Sequence, residues 1–286
     1  MTTRRTFLSG LGAAALTPAF GAAPTPRKLR RGFQVYGVRD LCAKDFAGTL
    51  KAARALGYEG VETGRFYGLD GAGLKLVCAD AGLKLLALQL YPHTLVGAEL
   101  AKTISLCHAC GANRVNVAWF KGSAENVNDW RLLAGVLTAA APALAREGIA
   151  LGYHNHAQEF EIRFDGRPVI DLLAKQFDPA VTFEPDPGWC RLAGGDPVDF
   201  MRRFAGRYRM LHVMPAIPGV TDGAPADYPL GPGACGVGSE RDLADWRKIL
   251  AAAREGGAEW LVVKPTAHPG AIDDLRASFA SLGDLV

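Results

Sequence analysis

The sequence has no large excess of charge of either sign. Its 32 Lys and Arg stand against 29 Asp and Glu for a net charge of +3, and no basic run is long enough to lay out a nucleic-acid surface. Arg27, Lys28, Arg30 and Arg31 form one short cluster. No Gly-rich phosphate fingerprint follows the first predicted strand, which argues against a dinucleotide-binding open sheet. Internal repeats beyond a strand–helix unit are missing, as is any linker to a second domain. Cysteine is sparse: Cys42, Cys78, Cys107, Cys110, Cys190 and Cys235 are the only six. Cys107 and Cys110 have CxxC spacing but lie in an alanine-rich helical stretch, with no second pair and no further zinc ligand in register. That leaves buried helical packing or a helical disulfide.

The N-terminus carries its own signal. Arg4-Arg5 precede an alanine-rich apolar stretch too short to span a bilayer comfortably, and small residues Gly21-Ala22-Ala23 offer a cleavage site. The pattern predicts a twin-arginine export signal with a short linker over residues 1–26, a periplasmic or extracytoplasmic location, and no stable membrane anchor. The fold then occupies residues 27–286 as one domain.

What is present is alternation. Short apolar runs at "GFQVY", "GVET", "LKLLALQL", "NRVNVAWF", "IALGYHNH", "AVTFEPD", "YRMLHVM" and "WLVVK" alternate with helical segments at 45–56, 72–81, 95–110, 130–147, 169–176, 197–204 and 243–255. Glycine stands just past several of these helices. Eight strand–helix units predict an α/β fold, a (β/α)8 TIM barrel. The Gly- and Pro-rich stretch 216–240 then becomes a long loop over the rim where such barrels place their chemistry.

Polar residues gather at the predicted C-terminal strand ends. Strand one ends in Gln34 and Tyr36, strand two in Glu62, strand three in Gln89, and strand four in Asn116 and Trp119. Strand five supplies His154, Asn155 and His156 with Glu159 beyond; strand six supplies Glu184 and Asp186, followed by Trp189. Strand seven gives His212 and strand eight Lys264. Spacing of two within His154/His156 and Glu184/Asp186 keeps each pair on one face of its strand. Carboxylates and imidazoles converging this way suit proton transfer or metal ligation, and the aromatics suit sugar faces.

The segments "FQVYGVRD" (33–40), "LGYHNHAQEFE" (151–161), "FEPDPGW" (183–189), "GGDPVDF" (194–200) and "LHV" (211–213) resemble the sugar phosphate isomerase/epimerase family of xylose isomerase-like TIM barrels. The resemblance implies a small-molecule carbohydrate as partner and proton transfer next to a carbonyl, assisted by one divalent ion such as Mn, Co, Mg or Zn. By position it makes Asp186 and His212 metal ligands, with His154 or Glu159 as the strand-five ligand. Glu62 and Glu184 then handle the proton, while Gln34, Tyr36, Gln89, Trp119, Asn155, His156 and Trp189 bind substrate. It allows a homo-oligomer.

Two departures matter. Met214 and Pro215 replace the lysine and aspartate that the family usually carries on strand seven after the histidine, and Lys264 replaces the usual strand-eight glutamate. An ammonium beside a divalent ion is unfavourable. Either the ion is lost and Lys264 fills its place, or the ion stays on fewer ligands with the lysine neutral, or Lys264 points away. In the first case Lys264 becomes catalytic itself, or the chain is a degenerate, metal-free member that binds carbohydrate without turnover.

Overall fold

The computed structural model describes residues 28–219, 235–266, 270–283 and 285. The predicted leader and the middle of the 216–240 loop lie outside the described residues. Eight parallel strands run β1 Arg30–Gln34, β2 Gly60–Thr63, β3 Lys84–Leu90, β4 Arg114–Val117, β5 Ala150–His154, β6 Val181–Glu184, β7 Met210–Val213 and β8 Trp260–Val263. Their order around the sheet is β6-β5-β4-β3-β2-β1-β8-β7, a nearly closed (β/α)8 TIM barrel. Strands β2, β7 and β8 are buried along their whole length, as expected where helices cover one face and the barrel interior the other.

The seam between β6 and β7 has no regular ladder. It is held by the Phe183 N–H donating to Arg207 O at 2.7 Å and the His212 N–H donating to Pro185 O at 2.9 Å. Pro185 and Pro187 carry no N–H, so the strand cannot extend its pairing past Glu184. The chain turns there instead, and His212 is pinned beside the turn.

Helices begin where short acidic side chains cap them. Asp45 accepts the Gly48 N–H at 2.8 Å, and Asp70 accepts the Gly73 N–H at 2.7 Å. Gly111 and Gly148 close the turns after two long helices at φ of +73° and +72°, a region costly for other residues. Two helices start later than their patterns predict. The helix expected from Leu95 begins at Ala98, because a 3-10 turn at Pro92–Leu95 and the φ of +56° at Gly97 intervene. The helix expected from Leu243 begins at Trp246, since Asp242 takes the N–H groups of Ala216, Gly238 and Ala244 and holds that segment as a loop. The short helix Pro187–Leu192 and the C-terminal helix Ala271–Gly283 were not foreseen.

Inside the barrel, Leu86, Ala87, Met210, Trp260 and Val262 form an apolar plug. It lies on the strands N-terminal to the polar ends and gives them a dry floor. All six cysteines are buried and free, and Cys110 Sγ lies 3.6 Å from Cys107 O on the same helix. The CxxC is helical packing rather than a bridge.

Candidate functional site

Parallel strands bring their C-terminal ends to one rim, and register sets the level of each side chain. Gln34 lies opposite Glu62, Gln89 opposite Asn116, and His154 opposite Glu184. Gly152 makes room: a Cβ there would sit 2.2 Å from Asn116 Oδ1.

The deeper part of the site is a network of fully buried groups. Asn116 Nδ2 donates to Glu62 Oε1 at 3.1 Å, and His212 Nε2 lies 2.7 Å from Glu62 Oε2 and 3.4 Å from Glu184 Oε1. One backbone group orients the amides. The Tyr36 N–H donates to Gln34 Oε1 at 3.1 Å, so Gln34 Nε2 donates to Gln89 Oε1 at 2.9 Å. Gln89 Nε2 then donates to Glu184 Oε2 at 3.0 Å.

Burial decides the protonation of this group. It pushes the Glu62 carboxyl from 4.5 up to about 7, against the hydrogen bonds from Glu184 and Asn116. It pushes Glu184 well above the carboxylate range, and the Glu62 charge adds to the effect. It lowers His212 against the pull of Glu184 and Asp186. The 2.7 Å His212–Glu62 contact has ion-pair geometry, yet burial disfavours charge on both partners. The contact is therefore a hydrogen bond around one proton, and Glu62 and Glu184 are held as a coupled pair.

Asp186 sits on the turn after β6. Its Oδ1 accepts the Trp189 N–H at 3.1 Å and caps the helix Pro187–Leu192. Its N–H donates to Asn155 Oδ1 at 2.9 Å, and Asn155 Nδ2 donates back to Asp186 O at 3.2 Å. The second oxygen, Oδ2, is buried without a hydrogen bond, and 3.8 Å away His212 Nδ1 also lacks one. When the neutral ring carries its proton on Nε2, directed at Glu62 Oε2, Nδ1 turns a lone pair toward Asp186 Oδ2. In that tautomer two acceptors face each other in a buried space, a place that a cation or donor between them would satisfy.

The donor set could hold a divalent ion if its side chains closed slightly around it. His154, Glu184 and His212 offer ligand atoms within 4.8 Å of one another. Burial, aided by the neighbouring His212 and His156, holds His154 well below its usual value and so neutral, as a ligand must be. Two donors about 2.1 Å from one ion stand up to roughly 3.8 Å apart at a wide angle, and imidazole with carboxylate suits Zn, Mn or Co. Burial raises Asp186, while the charges of His212 and Lys264 oppose the rise.

Of the two strand-five candidates, His154 stands in this group and Glu159 does not. Glu159 Oε1 accepts the Tyr153 hydroxyl at 2.6 Å and Gln158 Nε2 at 3.1 Å, and Oε2 accepts the His156 N–H at 2.7 Å. Every one of these bonds ties its own loop. Glu184, assigned to proton handling from the sequence, also stands among the potential ligands.

A cavity of about 200 Å³ opens above, lined by Gln34, Tyr36, Gln89, Tyr91, Ala118, Trp119, His154, His156 and Lys264. Lys264 faces this cavity rather than pointing away, and its Nζ lies 5.3 Å from the centre of the Trp189 ring. Asn155 does not line the cavity. Trp189 lines a neighbouring hollow of about 560 Å³ with Trp119 and His156. Glu62 and Glu184 lie behind the wall, where Gln89 and His154 cover them. Arg39 and Arg65 stack on Tyr36, with guanidinium carbons 4.5 and 5.6 Å from the ring centre. No sequence signal singled out these two arginines, because loop folding alone brings them to the rim. Asn116 was visible as a strand end, but its hold on Glu62 was not.

Residues 50–284 match the family model for the xylose isomerase-like TIM barrel. Among solved structures, the chain is similar to a sugar phosphate isomerase/epimerase from Parabacteroides distasonis ATCC 8503, with 20% identity over 93% of this chain and 98% of that one and a TM-score of 0.66. It is similar to an AP endonuclease, family 2, from Brucella melitensis, with 13% identity over 89% and 99% and a TM-score of 0.65. An L-ribulose 3-epimerase shows 14% identity over 90% and 94% and a TM-score of 0.61. At these identities the likeness is one of fold. No curated protein matches the chain.

Proposed function

Because the chain belongs to the xylose isomerase-like TIM barrel family, we propose that it moves a proton next to the carbonyl of a small sugar, keto-sugar or glycoside, as an isomerase or epimerase. The observation that carries this reading is the buried Glu62–His212–Glu184 cluster behind a polar, aromatic-rimmed cavity. Its carboxyls are held toward the protonated form, with Glu62 near 7, which suits groups that take and return a proton at neutral pH. The names of the epimerase relatives agree with it.

In this reading Tyr36 and Trp119 receive a sugar face, and Gln34, Gln89 and His156 hold hydroxyls. Glu184 and Glu62, which lie behind Gln89 and His154, take and return the carbon-bound proton when those two side chains move aside for the sugar. Lys264 steadies the negative charge that grows on the carbonyl oxygen. His154, His212 and Asp186 would hold a divalent ion, which supplies Lewis-acid polarisation of that carbonyl. Glu159 and Asn155 act by holding the loops. The mild net charge and the lack of a basic surface run give a nucleic-acid substrate no support. The twin-arginine pattern at Arg4-Arg5 supports a reaction outside the cytoplasm.

One observation favours a second reading, carbohydrate binding without turnover. Lys264 stands where the family resemblance implies a glutamate, and its charge acts on both Asp186 and His212. An ammonium there can replace the ion. The test is deuterium wash-in from D2O at the carbon beside the carbonyl, followed by NMR over a panel of ketoses and aldoses. Metal content is measured on the wild type and Lys264→Glu. Wash-in that falls by about a hundredfold or more in Glu184→Gln supports the proton-transfer reading. A sugar that binds with no wash-in, in metal-free protein that takes up metal only as Lys264→Glu, supports the second.

A further inference from the structure

The cavity at the strand ends encloses about 200 Å³. Most small-molecule sites enclose roughly 300–1,000 Å³, so this space suits a single sugar ring. It does not end there. The hollow of about 560 Å³ beside it shares two side chains with the cavity, Trp119 and His156, and the two spaces adjoin at them. A run of rings leads from one to the other. His154 lines the cavity and Trp189 the hollow, and the ring centres of His154 and His156 lie 4.7 Å apart, those of His156 and Trp189 5.7 Å apart. Trp119 keeps 37% of its surface exposed, a large flat face presented at the junction.

The rest of the hollow is lined in two ways. Ala157, Leu192 and Leu243 are apolar, while Gln158, Glu161 and Arg191 are polar. Arg191 Nε donates to Leu243 O at 3.3 Å, which ties two of the walls together and holds the hollow in shape before anything binds. A sugar ring has the same division, with C–H faces that pack on aromatic and apolar walls and hydroxyls at its edge.

From this continuity we infer that the site takes a two-ring glycoside, a disaccharide rather than a free monosaccharide. The reacting ring occupies the cavity and the second sugar ring the hollow, with Trp119 packed against the ligand where the two spaces meet. The inference rests on the proton-transfer reading above and narrows its substrate class. A monosaccharide leaves the hollow to water. A second ring covers the exposed face of Trp119 and the apolar walls, and its hydroxyls meet Gln158, Glu161 and Arg191. Binding energy gained there, away from the reacting carbon, helps to hold the first ring in place for proton transfer.

The experiment is equilibrium binding by calorimetry. The ligands are cellobiose, maltose, lactose, gentiobiose, sucrose and trehalose, with glucose, galactose and fructose as the single rings and 4-nitrophenyl glucoside as a non-sugar second ring. At least one disaccharide is expected to bind about tenfold or more tightly than either of its component sugars, from one stacked ring and its hydrogen bonds. Leu243→Trp puts bulk into the hollow and should abolish that preference, with the affinity for the single rings as internal reference. Glu161→Ala, at an exposed position, should reduce the preference by about threefold. No disaccharide preferred over its component sugars, or a preference that survives in both folded variants, overturns the inference. A 4-nitrophenyl glucoside that matches the best disaccharide overturns the sugar assignment of the second ring. If Leu243→Trp does not fold, Glu161→Ala decides alone. Wash-in on monosaccharides with no disaccharide preference sinks this inference and leaves the proton-transfer reading standing. A disaccharide preference without wash-in does the opposite.

Discussion

The loops after β5 and β6 each bury a carboxylate completely, and they use it in opposite ways. Glu159 has both oxygens engaged by its own loop: the Tyr153 hydroxyl, the Gln158 amide and the His156 N–H. Asp186 spends one oxygen on a helix cap and leaves the other buried, without a hydrogen bond, facing an equally unpaired imidazole nitrogen. Burial alone therefore does not distinguish a structural acid from a functional one. What distinguishes them is where the second oxygen points and whether anything answers it.

Removing Glu159 tests the structural half of that contrast and should have the largest effect on stability. Glu159→Ala strands a tyrosine hydroxyl and a backbone N–H in a buried place, each costly without a partner. The expected loss is about 4 kcal/mol, read by urea unfolding. Metal uptake by the folded fraction should be unchanged. A stable Glu159→Ala protein that loses metal would exchange the roles of the two acids.

Glu62 sharpens the comparison, because it is fully bonded like Glu159 yet belongs to the chemical cluster. Its carboxyl rises from 4.5 to about 7 on folding. A raised carboxyl binds its proton more tightly in the folded state. Its contribution is thus complete below pH 4.5 and disappears as pH climbs through 7. Metal-stripped wild type should lose about 3 kcal/mol relative to Glu62→Gln between pH 4.5 and pH 8. Parallel stability profiles for the two proteins would show that Glu62 is ionised at the same pH whether folded or not.

Much of this was legible before any coordinates. The barrel followed from eight apolar runs at regular spacing, and the inward-facing polar ends followed from alternation by two. Strand order put Asp186, His212 and His154 on adjoining strand ends, the resemblance grouped them as ligands with Glu159 as the alternative on strand five, and in the structure the three lie close together. The role of Glu159 was not legible, because "NHAQEF" gives its distance along the chain but not the turn that swings its carboxylate back to Tyr153. The late start of the helix at Ala98 was hidden for a similar reason: the apolar pattern continues through Leu95 and Val96 while the backbone does not. Lys264 could be read as a departure, yet its direction could not, since Pro265 leaves the residue before it several extended conformations. Local periodicity carries the strands; side-chain bonds across 30 or more residues decide the site.

The smallest stability change tests the other half of the contrast. In Asp186→Asn the side-chain oxygen can still accept the Trp189 N–H, since asparagine caps a helix about as well as aspartate. The unanswered oxygen becomes an amide nitrogen, a donor placed toward His212 Nδ1. The buried charge disappears along with its desolvation cost. Unfolding free energy should therefore shift by no more than about 0.5 kcal/mol, in either direction. Metal affinity should fall at least tenfold if Asp186 Oδ2 is a ligand, because a neutral amide is a much poorer partner for a divalent ion than a carboxylate. If stability stays level and metal binding is also unmoved, the open oxygen answers Lys264 rather than an ion, and the loop after β6 joins the loop after β5 as structure.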